Sequence, residues 1–376
     1  MMNVPKTLLT YHDLTVEVET TPPQELMVHV HSTTLGQPGS FRYQHLNLVD
    51  RLTAPGENYF MFLRKAGKMM GSVGFVGRHT QTGGLDHDSW MIRYFSIKAP
   101  FREVPRKLKG KSDLKDEHKR TTVLGRFIQP VFAQPSQLRG ESDPGRPSII
   151  YALIDQKNLR SMNFSSQMGM ETIGEVANFS FSRLNPKLSE RVEQLADSEK
   201  DSMERILHEF YSGYNLFFSN TLFKDHGYHV IRDSGRVVAG VQEYPITWRV
   251  VDFGSALVNG MVRMGTRIPW VKRRVDPDEV RMLAFDGIYC EPGYEDLLYE
   301  LMEGVLARSQ RYLAMLMMDR KSGLYEIFRD KGRLGPVHKV LGTFMADVRV
   351  RFINIPDEVR HLFLKRPTYI PTYDNS

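Results

Sequence analysis

The chain has a single cysteine, Cys290, among 376 residues. A lone thiol cannot form an intramolecular disulfide, so the fold must rest on packing and hydrogen bonds, as expected in a reducing compartment. Long apolar runs are missing too: none approaches the roughly 18 residues that a spanning helix requires. The opening MMNVPKTLLTYHDL has neither the charged block nor the apolar block of a secretion signal. These absences predict a cytoplasmic protein with no membrane among its partners. Zinc-type Cys/His spacing, an RNA-binding aromatic motif and a long basic helix are also absent, so no metal is expected and nucleic acid has no readable determinant.

What is present is ample apolar material, 41% hydrophobic and 11% aromatic residues, over a length that suits two domains. Lys and Arg number 50 against 44 acids, a net +6, which favours anionic partners without naming one. One stretch organises the rest: Ser148 to Met170, SIIYALIDQKNLRSMNFSSQMGM. Ile149, Ile150, Ala152, Leu153 and Ile154 make a run of strand length, suited to a strand buried on both faces. Asp155 can cap a helix whose inward stripe is Leu159, Met162, Phe164 and Met168, and Gly169 supplies its stop. Glu171 to Ser182 then returns to extended alternation.

In order along the chain, Leu14, Val16 and Val18 alternate as in a strand, and Gln24 to Leu52 reads as helix and loop. Tyr59–Arg64 and Met69–Arg78 form a hairpin through Lys65, Ala66, Gly67 and Lys68. His79 to Ser89 reads as a polar loop before a third strand, Trp90 to Lys98. Farther on, Ser202 to Phe223 has helical spacing (Ile206, Leu207, Phe210, Tyr211, Tyr214, Phe217), and Glu295 to Arg308 is an amphipathic helix.

The central stretch resembles the Gcn5-related N-acetyltransferases. In that family the helix after the strand carries Asn, a small residue three on, an apolar-Tyr pair and a closing Gly-Phe; here Asn158, Ser161, Phe164, Ser165, Gly169 and Met170 stand in register. Ser165 replaces the Tyr that protonates the departing thiolate in many members, and Met170 replaces Phe. A second likeness lies earlier. Ile97, Lys98, Ala99, Pro100, Phe101 and Arg102 follow the strand exit as Val-x-Pro-x-Tyr-Arg does in the family. After the charged insertion Glu103 to Lys119, the run Arg120, Thr121, Thr122, Val123, Leu124, Gly125, Arg126 resembles the Arg-x-x-Gly-x-Gly turn that binds the coenzyme A pyrophosphate, with Val123 in the first glycine place. Free amides at a helix start explain why such a turn attracts an anion. Pro130, in the second turn of that helix, predicts a kink or an early end.

The order of elements recurs after about Asn185. Arg64, Gly67, Lys68, Met69 and Met70 find counterparts in Arg232, Gly235, Arg236, Val237 and Val238, and YALIDQK at Tyr151 is echoed by AMLMMDRK at Ala314. The expected architecture is therefore α/β (α+β), with two tandem acetyltransferase-like modules at residues 1–187 and 188–376. Each would be a mixed, mostly antiparallel twisted sheet flanked by helices. Glu291, Glu295 and Asp296 place carboxylates at the second module's strand-to-helix turn, so that copy is expected not to hold coenzyme A.

The resemblance implies acyl transfer from acetyl-coenzyme A, or another acyl-coenzyme A, to a small-molecule or peptide amine. It places the pantetheine arm along Phe95, Ser96 and Ile97, the phosphates on Arg102, Arg120, Val123, Leu124, Gly125 and Arg126, and Asn158 and Ser161 near the arm. Direct attack by an amine needs a base and an acid. Glu175, Tyr94 and His79 border the expected cleft, and Tyr94 stands as substitute acid beside Ser165. Two other readings remain open: a tandem-module transferase dependent on aminoacyl-tRNA, and a ligand-binding protein without catalysis.

Overall fold

The structure is a computed structural model that describes residues 6–37, 39–52, 56–97, 123–223, 227–272, 274, 276–329 and 333–375. In chain order the elements begin with β1 (Lys6–Tyr11), β2 (Leu14–Glu19), α1 (Gln24–Ser32), β3 (Phe41–His45), α2 (Leu48–Leu52), β4 (Glu57–Lys65), β5 (Lys68–Thr82) and β6 (Leu85–Ile97). Then come α3 (Val123–Ala133), β7 (Ser148–Asp155), α4 (Leu159–Gln167), β8 (Glu171–Ser182), β9 (Glu193–Gln194), α5 (Lys200–Phe210), β10 (Tyr228–Asp233) and β11 (Arg236–Phe253). The chain closes with α6 (Ala256–Gly265), α7 (Pro269–Lys272), β12 (Val280–Cys290), α8 (Glu295–Arg308), β13 (Leu313–Asp319), α9 (Gly323–Phe328), α10 (Pro336–Leu341), β14 (Phe344–Ile353), α11 (Asp357–Lys365) and α12 (Thr372–Asn375).

The chain divides into two units, and neither is a continuous half. Unit one is drawn from Met1–Val30, Leu52–Ile173 and Val348–His361; unit two from His31–Arg51, Gly174–Asp347 and Leu362–Ser376. In unit one the strand order is β1-β2-β4-β5-β6-β7-β14. The pairs from β1 to β6 are antiparallel, and β6 meets β7 in parallel. Unit two runs β8-β13-β12-β11-β10-β9, with β12 and β13 parallel and β3 along the far half of β11. Both are mixed, mostly antiparallel sheets flanked by helices.

Local chemistry explains the hairpins. Lys65 pairs with Lys68, so Ala66 and Gly67 alone make the turn, with φ of 46° and 77°. Ser234 and Gly235 repeat this between Asp233 and Arg236, with φ of 50° and 80°. Two positive φ values in a two-residue loop match the right-handed twist of the strands, and glycine at the second position adopts one without strain. In each case the preceding arginine, Arg64 or Arg232, donates to the turn glycine's carbonyl and to two glutamates, Glu17 and Glu25 or Glu193 and Glu199.

The segment expected as a polar loop, His79 to Ser89, is instead the tip of a long hairpin turning at Gly83-Gly84. Thr80, Thr82, His87 and Ser89 face inward while His79, Gln81 and Asp86 are exposed: the hydroxyl of Thr80 donates to Ser89 (3.1 Å) and meets His87 Nδ1 (3.2 Å), and His87 Nε2 meets Thr82 (3.2 Å). Burial lowers the His87 imidazole to about 4, so it is neutral in this network. A second difference is the helix expected over Ser202 to Phe223, which ends at Phe210. The later aromatics pack without helical backbone, with Tyr211 stacked on Phe217 at 4.6 Å and both rings against Tyr369.

Each unit has its own core. Trp90, Phe75, Val131, Phe132 and Ile150 are fully buried in unit one, and Phe181, Phe285, Leu301, Met302 and Phe328 in unit two. α3 continues through Pro130 to Ala133 and buries Ile128, Val131 and Phe132; Phe127, also expected there, has a side chain outside the described set.

The C-terminal end of α4 is held by two arginines of β14. Arg349 donates to Thr172 Oγ1 (2.8 Å), to Ser166 Oγ (2.8 Å) and to the Met170 carbonyl, and Arg351 donates to the Met168 carbonyl (2.6 Å). Helix-end carbonyls lack intrahelical partners, and cations there are favourable. Replacing Arg349 by Leu should cost about 2–3 kcal/mol, because buried acceptors lose charged donors. Hydrogen exchange should show it as earlier opening of α4; an α4 protected as in the wild type would refute this.

Candidate active site

The parallel ladder between β6 and β7 is short. It pairs Asp88–Met91 with Ser148–Tyr151 and goes no further among the described residues, although both strands continue. β6 stays on β5 beyond that point, with Ser72 opposite Ser96 and Gly71 opposite Ile97. The register between Arg93 and Ser96 slips by one residue, and Tyr94 sits in the left-handed region at φ 50°. This is a β-bulge, which bends one strand and ends its pairing with the next. Past Met91 and Tyr151, β6 and β7 are not paired with each other among the described residues.

The residues around this point come from several elements. Phe95, on the splayed half of β6, is 37% exposed and stacks on Phe164 of α4 at 5.0 Å. Ser96 Oγ lies 2.7 Å from His29 Nε2 on α1. Arg93 is buried, donates to the Tyr94 hydroxyl at 3.2 Å and lies 5.1 Å from that ring's centre. α3 begins at Val123, so the backbone of Val123, Leu124, Gly125 and Arg126 forms its first turn, which carries no acid. Asn158 caps α4, its side-chain oxygen accepting the amide of Ser161 at 3.2 Å. The cap was expected at Asp155, which instead accepts the amide of Lys157 (2.8 Å). Leu159, expected inward, is 70% exposed. Ser165 is buried and donates to the carbonyl of Met162 at 2.8 Å, so its proton is engaged by its own helix.

The other expected residues lie elsewhere. His79 is opposite Asp88, whose buried carboxylate it meets at 2.7 Å together with Arg139 and Arg146. That is five residues, about 17 Å, from Arg93, at the end where β6 and β7 remain paired. Glu175 belongs to unit two and is ion-paired with Arg320. Arg102 and Arg120 lie outside the described residues. His29 carries no local signal of this contact with Ser96, because nothing in an amphipathic helix records the strand it will meet.

Unit two has the same split pair. β12 and β13 are joined in parallel over Leu283–Phe285 and Ala314–Leu316, followed by a bulge at which Gly287 has φ 54°. Here the end of the chain fills the split. The Thr372 hydroxyl donates to the Phe285 carbonyl (2.8 Å) and accepts the Met317 amide (2.9 Å), bridging the strands where their ladder stops. Asp286 accepts the amides of Thr372 and Tyr373. At the neighbouring strand-to-helix turn, Glu295 accepts the Gly293 amide (3.0 Å) and Glu291 pairs with Arg236 (2.9 Å).

A split parallel pair ending in a bulge, with a helix after each strand, repeated twice, is a backbone arrangement that can be compared directly with solved structures. Saccharomyces cerevisiae N-myristoyltransferase with bound myristoyl-CoA superposes with a TM-score of 0.57 at 9% identity, over 93% of this chain and 85% of that one. A second structure of that enzyme, with myristoyl-CoA and inhibitors, gives 0.55 at 10% identity, over 93% and 82%. A GCN5-related N-acetyltransferase from Sphaerobacter thermophilus also matches, at 0.42 and 12% identity, over 78% and 80%. The chain shares the fold of these N-myristoyltransferase structures. No family model matches the sequence, and no curated protein matches it. In unit one the β6–β7 ladder ends after Met91 and Tyr151, and in unit two Thr372 bridges the strands where the ladder ends.

Two measurements follow. Thr372→Val keeps the shape but leaves the Met317 amide and Phe285 carbonyl without their bridge, and should destabilise unit two by about 1–3 kcal/mol in urea unfolding; an unchanged midpoint would show that the bridge is dispensable. Burial pushes the Asp286 carboxyl up to about 7, against the pull of the Tyr373 and Thr372 amides. The folded state then keeps a proton that the unfolded chain loses near its ordinary 3.8, so this contribution is whole below about pH 4 and gone above about pH 7. The stability of wild type relative to Asp286→Asn should fall across that window by an amount on the order of a few kcal/mol. A difference independent of pH would exclude this titration.

Proposed function

We propose that the chain is an acyl-coenzyme A-dependent N-acyltransferase, with unit one as its working site. The observation that carries this is the contrast between the splits. In unit one β6 and β7 stop pairing after Met91 and Tyr151, Phe95 of β6 stacks on Phe164 beyond that point, and the next helix begins without an acid; in unit two Thr372 bridges the strands and the helix start carries Glu295 and Asp296. An extended pantetheine arm can pair with a strand edge as a further strand would. The amides of Val123, Leu124, Gly125 and Arg126 suit a pyrophosphate, with Arg102 and Arg120 as further cations. Coenzyme A supplies the activated acyl group as a thioester.

The acceptor is a small-molecule or peptide amine. Its nitrogen attacks the thioester carbonyl, an amide forms as the carbon–sulfur bond breaks, and one proton leaves the nitrogen while one reaches the thiolate. His29, beside Ser96, is placed to take the first, and Tyr94, at the bulge with Arg93 against its hydroxyl, to give the second. The acyl group is acetyl or longer. The stacked pair Phe95 and Phe164 favours an apolar chain, and the N-myristoyltransferase structures hold myristoyl-CoA. We also propose that residues 1–187 and 188–376 are two copies of one module. Asp155, Lys157, Asn158 and Ser161 make the same turn and cap as Asp319, Lys321, Ser322 and Tyr325.

Calorimetry with acetyl-, octanoyl- and myristoyl-coenzyme A tests the proposal. Binding should be at least about tenfold weaker in Phe95→Asp, since a charge replaces an apolar contact. His29→Gln should keep binding while turnover with an amine panel falls about 100-fold or more. No heat with any acyl-coenzyme A at high concentration would reject the proposal.

A further inference from the structure

The connection between β11 and β12 is out of proportion to its structural task. At the same place in unit one, β5 and β6 are joined by Gly83 and Gly84 alone, whereas unit two spends residues 254–279 and adds α6 and α7. α6 lays Val258 and Val262 half-buried, and Asn259 ties it down by accepting the Phe253 amide (2.9 Å) and donating to Asp252 (2.9 Å). The outer side is also apolar. Leu257 is 73% exposed, Met261 50%, Met264 71% and Ile268 54%. At about 100° per residue Leu257, Met261 and Met264 project within about 60° of one another on α6, and Ile268 follows in the turn after the helix. They form one row, pointing away from the side that packs.

Along this connection the charge has one sign. In a chain with 44 acids there is none between Asp252 and Asp276, while Arg263, Arg267, Lys272, Arg273 and Arg274 all fall there. Arg263, on α6, and Arg267, in the turn after it, are exposed. Arg274 is used internally, donating to the Leu184 carbonyl and lying over the Tyr312 ring. An apolar stripe flanked by cations without acids matches a surface that is apolar within and anionic at its rim. An acidic protein groove would want fewer bare apolar side chains, and RNA bases stack on aromatic rings, which this row of Leu, Met and Ile lacks.

We propose that α6 and the turn after it dock on an anionic lipid surface, with Leu257, Met261, Met264 and Ile268 entering the interface and Arg263 and Arg267 at the headgroups. The absence of a spanning helix, from which no membrane partner was expected, does not bear on this; among the described residues no helix is long and apolar enough to cross a membrane. The attachment is peripheral. It is also independent of whether unit one transfers acyl groups.

The test is co-sedimentation of the full chain with vesicles of phosphatidylcholine alone or mixed with phosphatidylglycerol, at low and high salt. The mixed vesicles should bind the protein and release it as salt rises. Met261→Gln/Met264→Gln should weaken binding about tenfold or more, and Arg263→Gln/Arg267→Gln should remove the preference for phosphatidylglycerol, both with the wild-type melting temperature. If a variant folds poorly, Met264→Cys carrying a polarity-sensitive dye replaces it, since Cys290 is buried; its emission should shift to the blue on anionic vesicles. No binding to anionic vesicles at low salt, or equal binding by the methionine variant, would overturn the proposal. So would a concentration-dependent dimer that the methionine variant abolishes, which would assign the row to a second copy.

Discussion

A parallel strand pair that stops early leaves backbone amides and carbonyls that must find partners, and this requirement governs both units. The cause is one extra residue in the strand, at Tyr94 in unit one and Gly287 in unit two. Buried backbone polar groups are costly without hydrogen bonds, so a split of this kind is stable only with something to fill it. Unit two solves the problem internally: Thr372 offers a hydroxyl that both donates and accepts, and the following turn gives its amides to Asp286. In unit one an aromatic pair, Phe95 and Phe164, stands past the end of the ladder, and the next helix starts without an acid. The same backbone defect thus has two chemical answers in one chain.

The rigidity of the site comes from polar groups at its margins as much as from apolar packing. α4 carries Phe164 to Phe95, and α4 is held at its C-terminal end by Arg349 and Arg351. At the other end of β6, Asp88 gathers His79, Arg139 and Arg146 about a carboxylate that is 1% exposed. A buried carboxylate is tolerable with that many donors. Arg139 also lies over the Trp90 ring at 4.6 Å, joining this cluster to the core. The splayed half of β6 is bounded on one side by a locked ladder and on the other by a clamped helix.

Much of the local architecture was legible in the residues. The apolar run at Ile149 marks β7, the Ala66-Gly67 turn marks its hairpin, and Glu295 to Arg308 is a helix with the expected bounds. Legibility failed where polar residues are buried or apolar ones are not. His79 to Ser89 reads as loop because its composition is polar, yet those side chains satisfy one another inside a hairpin. Leu159 reads as core and faces outward, and Ser202 to Phe223 has helical spacing that aromatic stacking uses without a helix after Phe210. Periodicity reports which residues share a side, and cannot report what that side meets.

Of the site, the sequence alone determined the pieces whose physics is local: the strand and helix joined at Asn158, the turn of α3 at Val123 to Arg126, and the carboxylates that disfavour an anion at unit two's strand-to-helix turn. Tertiary structure alone decided that β6 and β7 part after Met91 and Tyr151, that His29 reaches Ser96, that residues of β14 clamp α4, and that Thr372 closes the second split. The physical reason is the span of the contacts. A cap or a turn forms within a few residues, whereas Arg349 meets Ser166 across 183 positions and Thr372 meets Phe285 across 87. Contacts of that range are chosen by the fold's topology, and no periodicity in the chain records them.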